Sequence, residues 1–472
     1  MARSTKSLDV DAEKGESQHV EIVPVEDGAG GRIQDAVFGE LSENGPNYRN
    51  VGWVGTLVLM LKATIGLGVL AIPYSFQTVG LIPGIILLTF VIVIVTWSDV
   101  VVGTFKQNHP DVYSIPDIGR VLFGRAGEWF FTAAYVIYMI FSVSGGMVAV
   151  STALNAVTVH AACTAIFVVV SAVIAVMFAS IQTLGRIQFL GWFGIISILA
   201  GIMIVTVAVG IQDRPAEAPQ VGPWDKDLKL FASPTFAQAM STVAGFVYAT
   251  CNPPTFIGFV SEMRDFRQYK KSMYCCQIFV WAFYITIGTV MYFYCGQYVA
   301  FPALGSAGVV VKRVAYGIAL PGLLVTLIIY THLPAKFIFV KLLRGSRHLN
   351  TNTPTHWVVW LACTLSTTVI AYIMGSAIPI FSSFVGLVGA TFAPFMCMIP
   401  MGFMWLKDNY WASGAQRTTR VKLQAAWAAL VTLMGIFLVV GGTYAAILDI
   451  RASTSKVKPW SCTDNSNSVP TA

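Results

Sequence analysis

Charge is scarce in this 472-residue chain. Only 11% of its residues are Asp, Glu, Lys or Arg, against about 25% in an average soluble domain, and 56% are hydrophobic. With a mean hydropathy of +0.68, the chain carries more apolar surface than one soluble core of this size can hide. A water-soluble globular protein, a coiled coil, a collagen and a disordered chain are all excluded on composition. The eight cysteines include no CxxC pair, so neither a zinc site nor a disulfide framework is expected, and they read as small apolar packing residues. The chain has no GxxxxGK[ST] loop to bind a nucleotide, and no HExxH, GxSxG or paired-Asp motif. A nucleotide-driven pump and an enzyme are therefore not expected, and no cofactor is implied. There is no Asn-x-Ser/Thr acceptor and no apolar leader in the first 47 residues. Rings of charge that would select ions in a channel are also missing.

The charges that exist are segregated. Residues 1–47 hold ten acids and four bases, are rich in Gly and Ser, and read as a disordered acidic cytosolic tail. The basic excess behind the +7 net charge lies in short loops between apolar runs, so nucleic acid is not an expected partner. A bilayer core needs about 20 apolar residues per helix. Eleven such runs are found, near 52–78, 80–103, 127–151, 160–181, 189–211, 235–262, 272–298, 314–341, 356–375, 378–405 and 423–448. With the N-terminus in the cytosol, the inside loops carry fifteen basic residues, among them Arg264, Arg267, Lys270 and Lys271, against five outside. Loop 104–126, with an amphipathic stretch, reads as lying on the inner membrane surface. The organisation expected is the tail 1–47, one all-α membrane domain over 48–450, and a short tail over 451–472 outside the cytosol.

Two of the runs interrupt themselves. In the first, Lys62-Ala-Thr64-Ile65-Gly66-Leu67-Gly68 places two glycines and a cation at membrane depth, and Pro73 suits the first turn of a new helix. In the sixth, Phe246-Val-Tyr248-Ala249-Thr250-Cys251-Asn252 runs into Pro253-Pro254, and a residue before proline is pushed out of the α region. Broken backbone inside a bilayer is tolerated only where it is buried or lines a wet cavity. Two broken spans in matching positions of two halves point to the binding site of a secondary transporter. Spans one and six each open a set of five, which predicts a 5+5 inverted repeat with span eleven left over. The half-helix that starts near Gly68 presents amides and about half a positive charge, suited to a carboxylate. The unwound carbonyls around Tyr248–Cys251 suit an ammonium. A zwitterion with both groups on one carbon, an α-amino acid, would bridge the two.

Three stretches carry a family likeness: Lys62-Ala-Thr-Ile-Gly66-Leu-Gly68-Val-Leu-Ala-Ile-Pro73, Gly258-Phe-Val-Ser261-Glu262-Met263 and Gly386-Leu-Val-Gly389-Ala390. Over most of residues 48–448 the chain resembles the amino acid/auxin permease family, and in particular its fungal neutral amino acid permeases. The resemblance implies the fold of the bacterial sodium-coupled leucine transporters and uptake of neutral amino acids at the plasma membrane, or transport at the vacuole as in some relatives. Sodium-coupled members have an Asn where Lys62 stands. Proton-coupled members also have Lys, so the resemblance implies proton symport, with Lys62 either replacing the ion or titrating. It further assigns Thr331 to the cation site and sets His332 beside it, as a proton carrier or as a hydrogen-bonded core histidine. Glu262 would gate by pairing with a cytosolic base, or would end its helix in solvent. Tyr138 on span three would touch substrate or pack as an aromatic. Asp99 reads as a helix-end or interfacial group, and Lys336 as snorkelling to the inner surface. Leu67, Phe246, Tyr248 and Cys251 make the expected pocket apolar, which favours neutral cargo. The function expected is secondary active uptake of neutral amino acids with a proton, by alternating access. A membrane sensor that binds amino acids and transports them poorly is the other reading.

Overall fold

A computed structural model describes residues 33–35, 39–41, 51–66, 68–181, 184–349, 351–378, 385–412, 418–454, 459–466 and 468. In the first apolar run, α1 (Trp53–Thr64) stops where the glycines begin, and Ile65 leaves helical geometry (φ −84, ψ 70). A short 3₁₀ turn, Gly68–Ala71, leads into α2 (Ile72–Val79), with Pro73 in its first turn. Gly80 (φ +91) then turns the chain into α3 (Leu81–Asn108), in a conformation side chains disfavour. Next come α4 (Ile115–Thr158), α5 (Thr164–Ala179) and α6 (Leu184–Ile211). A Ser114–Asp117 capping box starts α4, and non-helical Gly124 (φ 66, ψ −154) sets its first turns apart from the membrane-crossing remainder.

The sixth run splits as the prolines dictate, into α7 (Phe236–Thr250) and α8 (Pro253–Ser261), with Cys251 and Asn252 between them. The chain continues through α9 (Tyr269–Cys295), α10 (Val309–Leu343), α11 (Pro354–Ala377), α12 (Val385–Trp411) and α13 (Thr419–Thr454). Among the described residues nine helices are long and apolar enough to cross a membrane, taking α1 and α2 as one. The sixteen-residue α5 and the broken α7–α8 pair complete eleven transmembrane segments.

The broken helices pack together with α3 and α9. Against them stands a scaffold in which α10 lies along α6 and α4, and α11 along α4 and α5. Exposed apolar side chains such as Ile86, Met177, Ile278, Val358, Leu433 and Val440 ring the bundle. Contiguous apolar surface of this kind faces lipid rather than water. We call the end of the bundle where α1 begins the near face and the other end the far face.

One expectation changes here. Cysteine spacing indicated no disulfide, yet Cys163 at the start of α5 and Cys462 in the C-terminal tail are bonded. The partners are 299 residues apart, and only the fold brings them to the far face. There the tail is also stitched down: Thr164 Oγ1 donates to the Thr463 carbonyl (2.7 Å), Asn155 Nδ2 to Asn465 Oδ1 (2.8 Å), and the Lys312 ammonium to the Ser466 carbonyl. Ahead of the helices, β1 (Ile33–Asp35) pairs antiparallel with β2 (Gly39–Leu41).

Candidate functional site

The two breaks meet. A Cβ built on Gly68 would lie 2.3 Å from the Ala249 Cα, so only glycine allows the backbones of the two broken spans to touch. The Tyr284 hydroxyl on α9 holds this contact from behind, lying 2.8 Å from the Thr64 carbonyl and 3.2 Å from that of Ala249. Thr64 Oγ1 donates to Asn252 Oδ1 at 2.7 Å, which joins the end of α1 to the start of α8. Between the breaks is a cavity of about 10 Å³ lined by Ala63, Thr64, Gly68, Tyr248, Ala249, Cys251, Asn252 and Tyr330. That is about one water's worth of space and narrower than any amino acid. No acid or base lines it.

Lys62 is fully buried one turn before the first break. Its Nζ donates to Thr326 Oγ1 at 2.5 Å and lies 3.4 Å from the Ile65 carbonyl. On α6, Gly194 makes room for it: a Cβ there would sit 3.0 Å from the Lys62 Cε. Gly66 presses on Thr326 from the other side.

The threonine beside Lys62 is therefore Thr326, which corrects the expectation for Thr331. The two are five residues apart on α10, and Thr331 Oγ1 donates to its own helix at Leu327. His332 is also turned away from the site. Its Nδ1 lies 3.4 Å from the Ala179 carbonyl at the end of α5, and its ring meets Trp360 of α11 edge-on. His332 does not join Lys62 in one cluster.

The remaining expected residues divide. Thr64, Gly68, Tyr248, Ala249, Cys251 and Asn252 line the cavity. Tyr138 is buried on α4 and interacts electrostatically with Cys251, Tyr248 and Tyr330. Ile65 is buried and its carbonyl faces Lys62. Phe246 points elsewhere, packing edge-on against Phe76 of α2, and Thr250 donates back to the Phe246 carbonyl. Leu67 lies outside the described residues.

At the near face, Glu262 follows the end of α8 and pairs with Lys336 of α10, Oε1 to Nζ at 2.6 Å. Their side chains are 2% and 1% exposed, so neither ends in solvent, and Lys336 does not snorkel outward. The segment before α1 seals the same corner. Val51 N donates to the Glu262 carbonyl (3.3 Å), and Arg264 N to that of Val51 (2.9 Å). At the far face a wider cavity of about 250 Å³ runs down between α2, α7 and α12, from Asp449 and Phe301 to Ala71 and Gly245.

Asp99 corrects the helix-end reading. It is fully buried on α3, with Oδ2 accepting from Gln277 Nε2 at 2.6 Å. Thr326, Tyr284, Gln277 and Lys336 complete the polar framework around the breaks. Their types are legible in the sequence, but their helical rotation is not.

Comparison with known proteins agrees with this geometry. Residues 49–448 match the family described as transmembrane amino acid transporter protein. A transmembrane transporter of Gibberella moniliformis is 33% identical over 463 residues, 96% of this chain and 97% of that protein. The N amino acid transport system protein of Neurospora crassa is 30% identical over 445 residues, 92% and 93% of the two chains. Among solved structures, a nucleobase-cation-symport-1 family transporter in a closed conformation with bromovinylhydantoin bound superposes with a TM-score of 0.53 at 13% identity, over 90% of this chain and 98% of that one. A Na+-coupled sialic acid symporter in a substrate-bound outward-open state gives 0.52 at 11%, over 86% and 92%. These likenesses show the leucine-transporter-like fold with its two broken helices. The chain belongs to the transmembrane amino acid transporter family.

Proposed function

We propose that the chain is a secondary active transporter that takes up neutral amino acids together with a proton by alternating access. The observation that carries this is the meeting of the two breaks at Gly68 and Ala249 beside the buried Lys62 ammonium on Thr326. The substrate carboxylate sits at the amides that open the 3₁₀ turn at Gly68, and its ammonium at the unwound carbonyls near Cys251. Of those carbonyls, that of Ala249 is already engaged by Tyr284. The cavity lining, which is small, aromatic, thiol, hydroxyl and amide side chains with no carboxylate or ammonium, supports neutral cargo. The name of the Neurospora relative supports amino acids as the class.

A fixed ammonium argues against sodium as the coupling ion. Two unit charges 4 Å apart repel by roughly 4 kcal/mol at an effective dielectric of 20. The Glu262–Lys336 pair acts as a gate on the near face, while the 250 Å³ cavity is the vestibule on the far face. The excess of basic residues in the near-face loops supports a cytosolic near face, with the N-terminus on the same side. The plasma membrane is the proposed address.

Uptake of radiolabelled neutral amino acids into cells expressing the chain is the test. Expected is uptake stimulated by an acidic exterior and indifferent to replacement of sodium by choline. Uptake that needs sodium and ignores a collapsed pH gradient would overturn the coupling.

A further inference from the structure

We infer that Asp99 is the residue that carries the coupled proton. The inference rests on the proton-symport reading above and names the group that reading leaves open. Asp99 lies nine residues before the end of α3, on the near-face side of the breaks, with no exposed surface. Gln277 Nε2 donates to Oδ2 at 2.6 Å, and Oδ1 has no partner. Gln277 Oε1 and Asn252 Nδ2 are orphaned too, so three unsatisfied polar atoms belong to one small buried group. Buried polar atoms are ordinarily paired, and an uncompensated carboxylate inside a membrane protein calls for a positive charge.

Among the described residues the neighbouring elements do not supply one. From α9, Tyr269 donates its hydroxyl to the Asp99 main-chain carbonyl at 3.0 Å, and Cys276 lies within electrostatic reach, as does Cys397 of α12. The only titratable groups on α2 and α7 are the phenols Tyr74 and Tyr248, and Cys251 follows α7 at the break. Lys270 of α9 is exposed, and the other charged groups on the packed elements are engaged elsewhere. Lys106 donates to the Pro110 and Val112 carbonyls, Lys407 to that of Val121, and Lys271 lies over Trp53. Asp408 meets Asn108 and His109, and Glu262 meets Lys336.

A proton entering from the far face adds to the free Oδ1 lone pair. The neutral acid keeps its hydrogen bond from Gln277 through Oδ2 and gains a donor at Oδ1. Asn252 is the relay. It starts α8, takes a hydrogen bond from Thr64 of the first break, lines the substrate cavity, and turns its amide toward Asp99 without closing a bond. Substrate at the breaks and charge at Asp99 therefore act on the same side chain. When α8 swings open at the near face, water reaches Oδ1 and the proton leaves as hydronium.

The test uses the full chain reconstituted in phosphatidylcholine vesicles, with a mixture of radiolabelled alanine, leucine and phenylalanine as the probe. Gradient-driven uptake, inside alkaline, is compared with exchange against preloaded unlabelled substrate without a gradient. One pH unit supports about tenfold accumulation at one proton per substrate, the ratio equivalent to 1.4 kcal/mol. In Asp99→Asn the ratio of gradient-driven uptake to exchange is expected to fall at least tenfold, and Asp99→Glu is expected to restore it. Asp99→Asn that still concentrates substrate under a pH gradient overturns the assignment while leaving proton symport intact. Wild-type protein that exchanges but ignores the gradient refutes the symport reading itself. If Asp99→Asn fails in both assays, Gln277→Leu decides. Loss of the bond to Oδ2 is expected to move the pH of half-maximal uptake by half a unit or more, and an unmoved profile overturns the proposal.

Discussion

Removing the charge of Glu262 is the most informative single perturbation, because its effect can be worked from the structure. Glu262→Gln keeps the shape of the side chain and takes the Glu262 charge away from the Lys336 ammonium, which is 1% exposed and 2.6 Å away. Breaking a buried pair from one side costs about 3–5 kcal/mol. When the near face opens, both groups meet water and most of that cost vanishes. The closed arrangement is thus destabilised relative to the open one by roughly 100-fold at the lower end of that range. The assay is amide hydrogen exchange by mass spectrometry on the detergent-solubilised protein, read at α8 and at the Val51–Arg264 backbone pairing. Exchange there is expected to quicken about 100-fold, with α6 as an unaffected reference. Lys336→Met on the same background should bring it back most of the way, since an apolar replacement of both partners is close to neutral. A change of less than threefold in Glu262→Gln, or no recovery in the double variant, would refute the idea that this pair holds the near face shut.

Other outcomes follow from the same geometry. Gly68→Ala should cut uptake more than tenfold, because its new Cβ would lie 2.3 Å from the Ala249 Cα, whereas Gly308→Ala, with nothing within 4 Å, should leave uptake unchanged. Lys62→Asn should remove the fixed ammonium from Thr326 Oγ1 and let a cation in, so uptake is expected to gain stimulation by sodium while Asp99 keeps its response to an acidic exterior; uptake that stays indifferent to sodium would make Lys62 a bystander. A protease cut in the 212–235 loop should give one band on a non-reducing gel and two after reduction, and Cys462→Ser should give two under both conditions.

The breaks were readable in the sequence because the residues that make them act locally. Glycine and proline set backbone geometry wherever they stand, so Gly66, Gly68, Pro73 and Pro253-Pro254 mark the unwound segments without knowledge of any neighbour. Lys62 was readable for a similar reason, as a cation in an apolar run. What escaped depends on rotation and distance. Thr326 and Thr331 sit on one helix of 35 residues and both donate back to its backbone, but only the Thr326 oxygen is turned so that it also accepts from Lys62. Asp99 looks the same in sequence whether its helix turns it outward or toward Gln277. His332 carried the chemistry of a proton carrier but faces α5 and α11. Cys163 and Cys462 share no local pattern at all.

The mismatch between the two cavities has a practical side. The space between the breaks is about 10 Å³, while the vestibule above it is about 250 Å³ and bordered by Tyr74, Gln238, Ser241 and Asp449. A chemical screen run on this conformation would select molecules that lodge in the funnel and jam α2 against α12. Such corks would lower the maximal rate without entering the space between the breaks, and their selectivity among relatives would come from side chains that lie outside it.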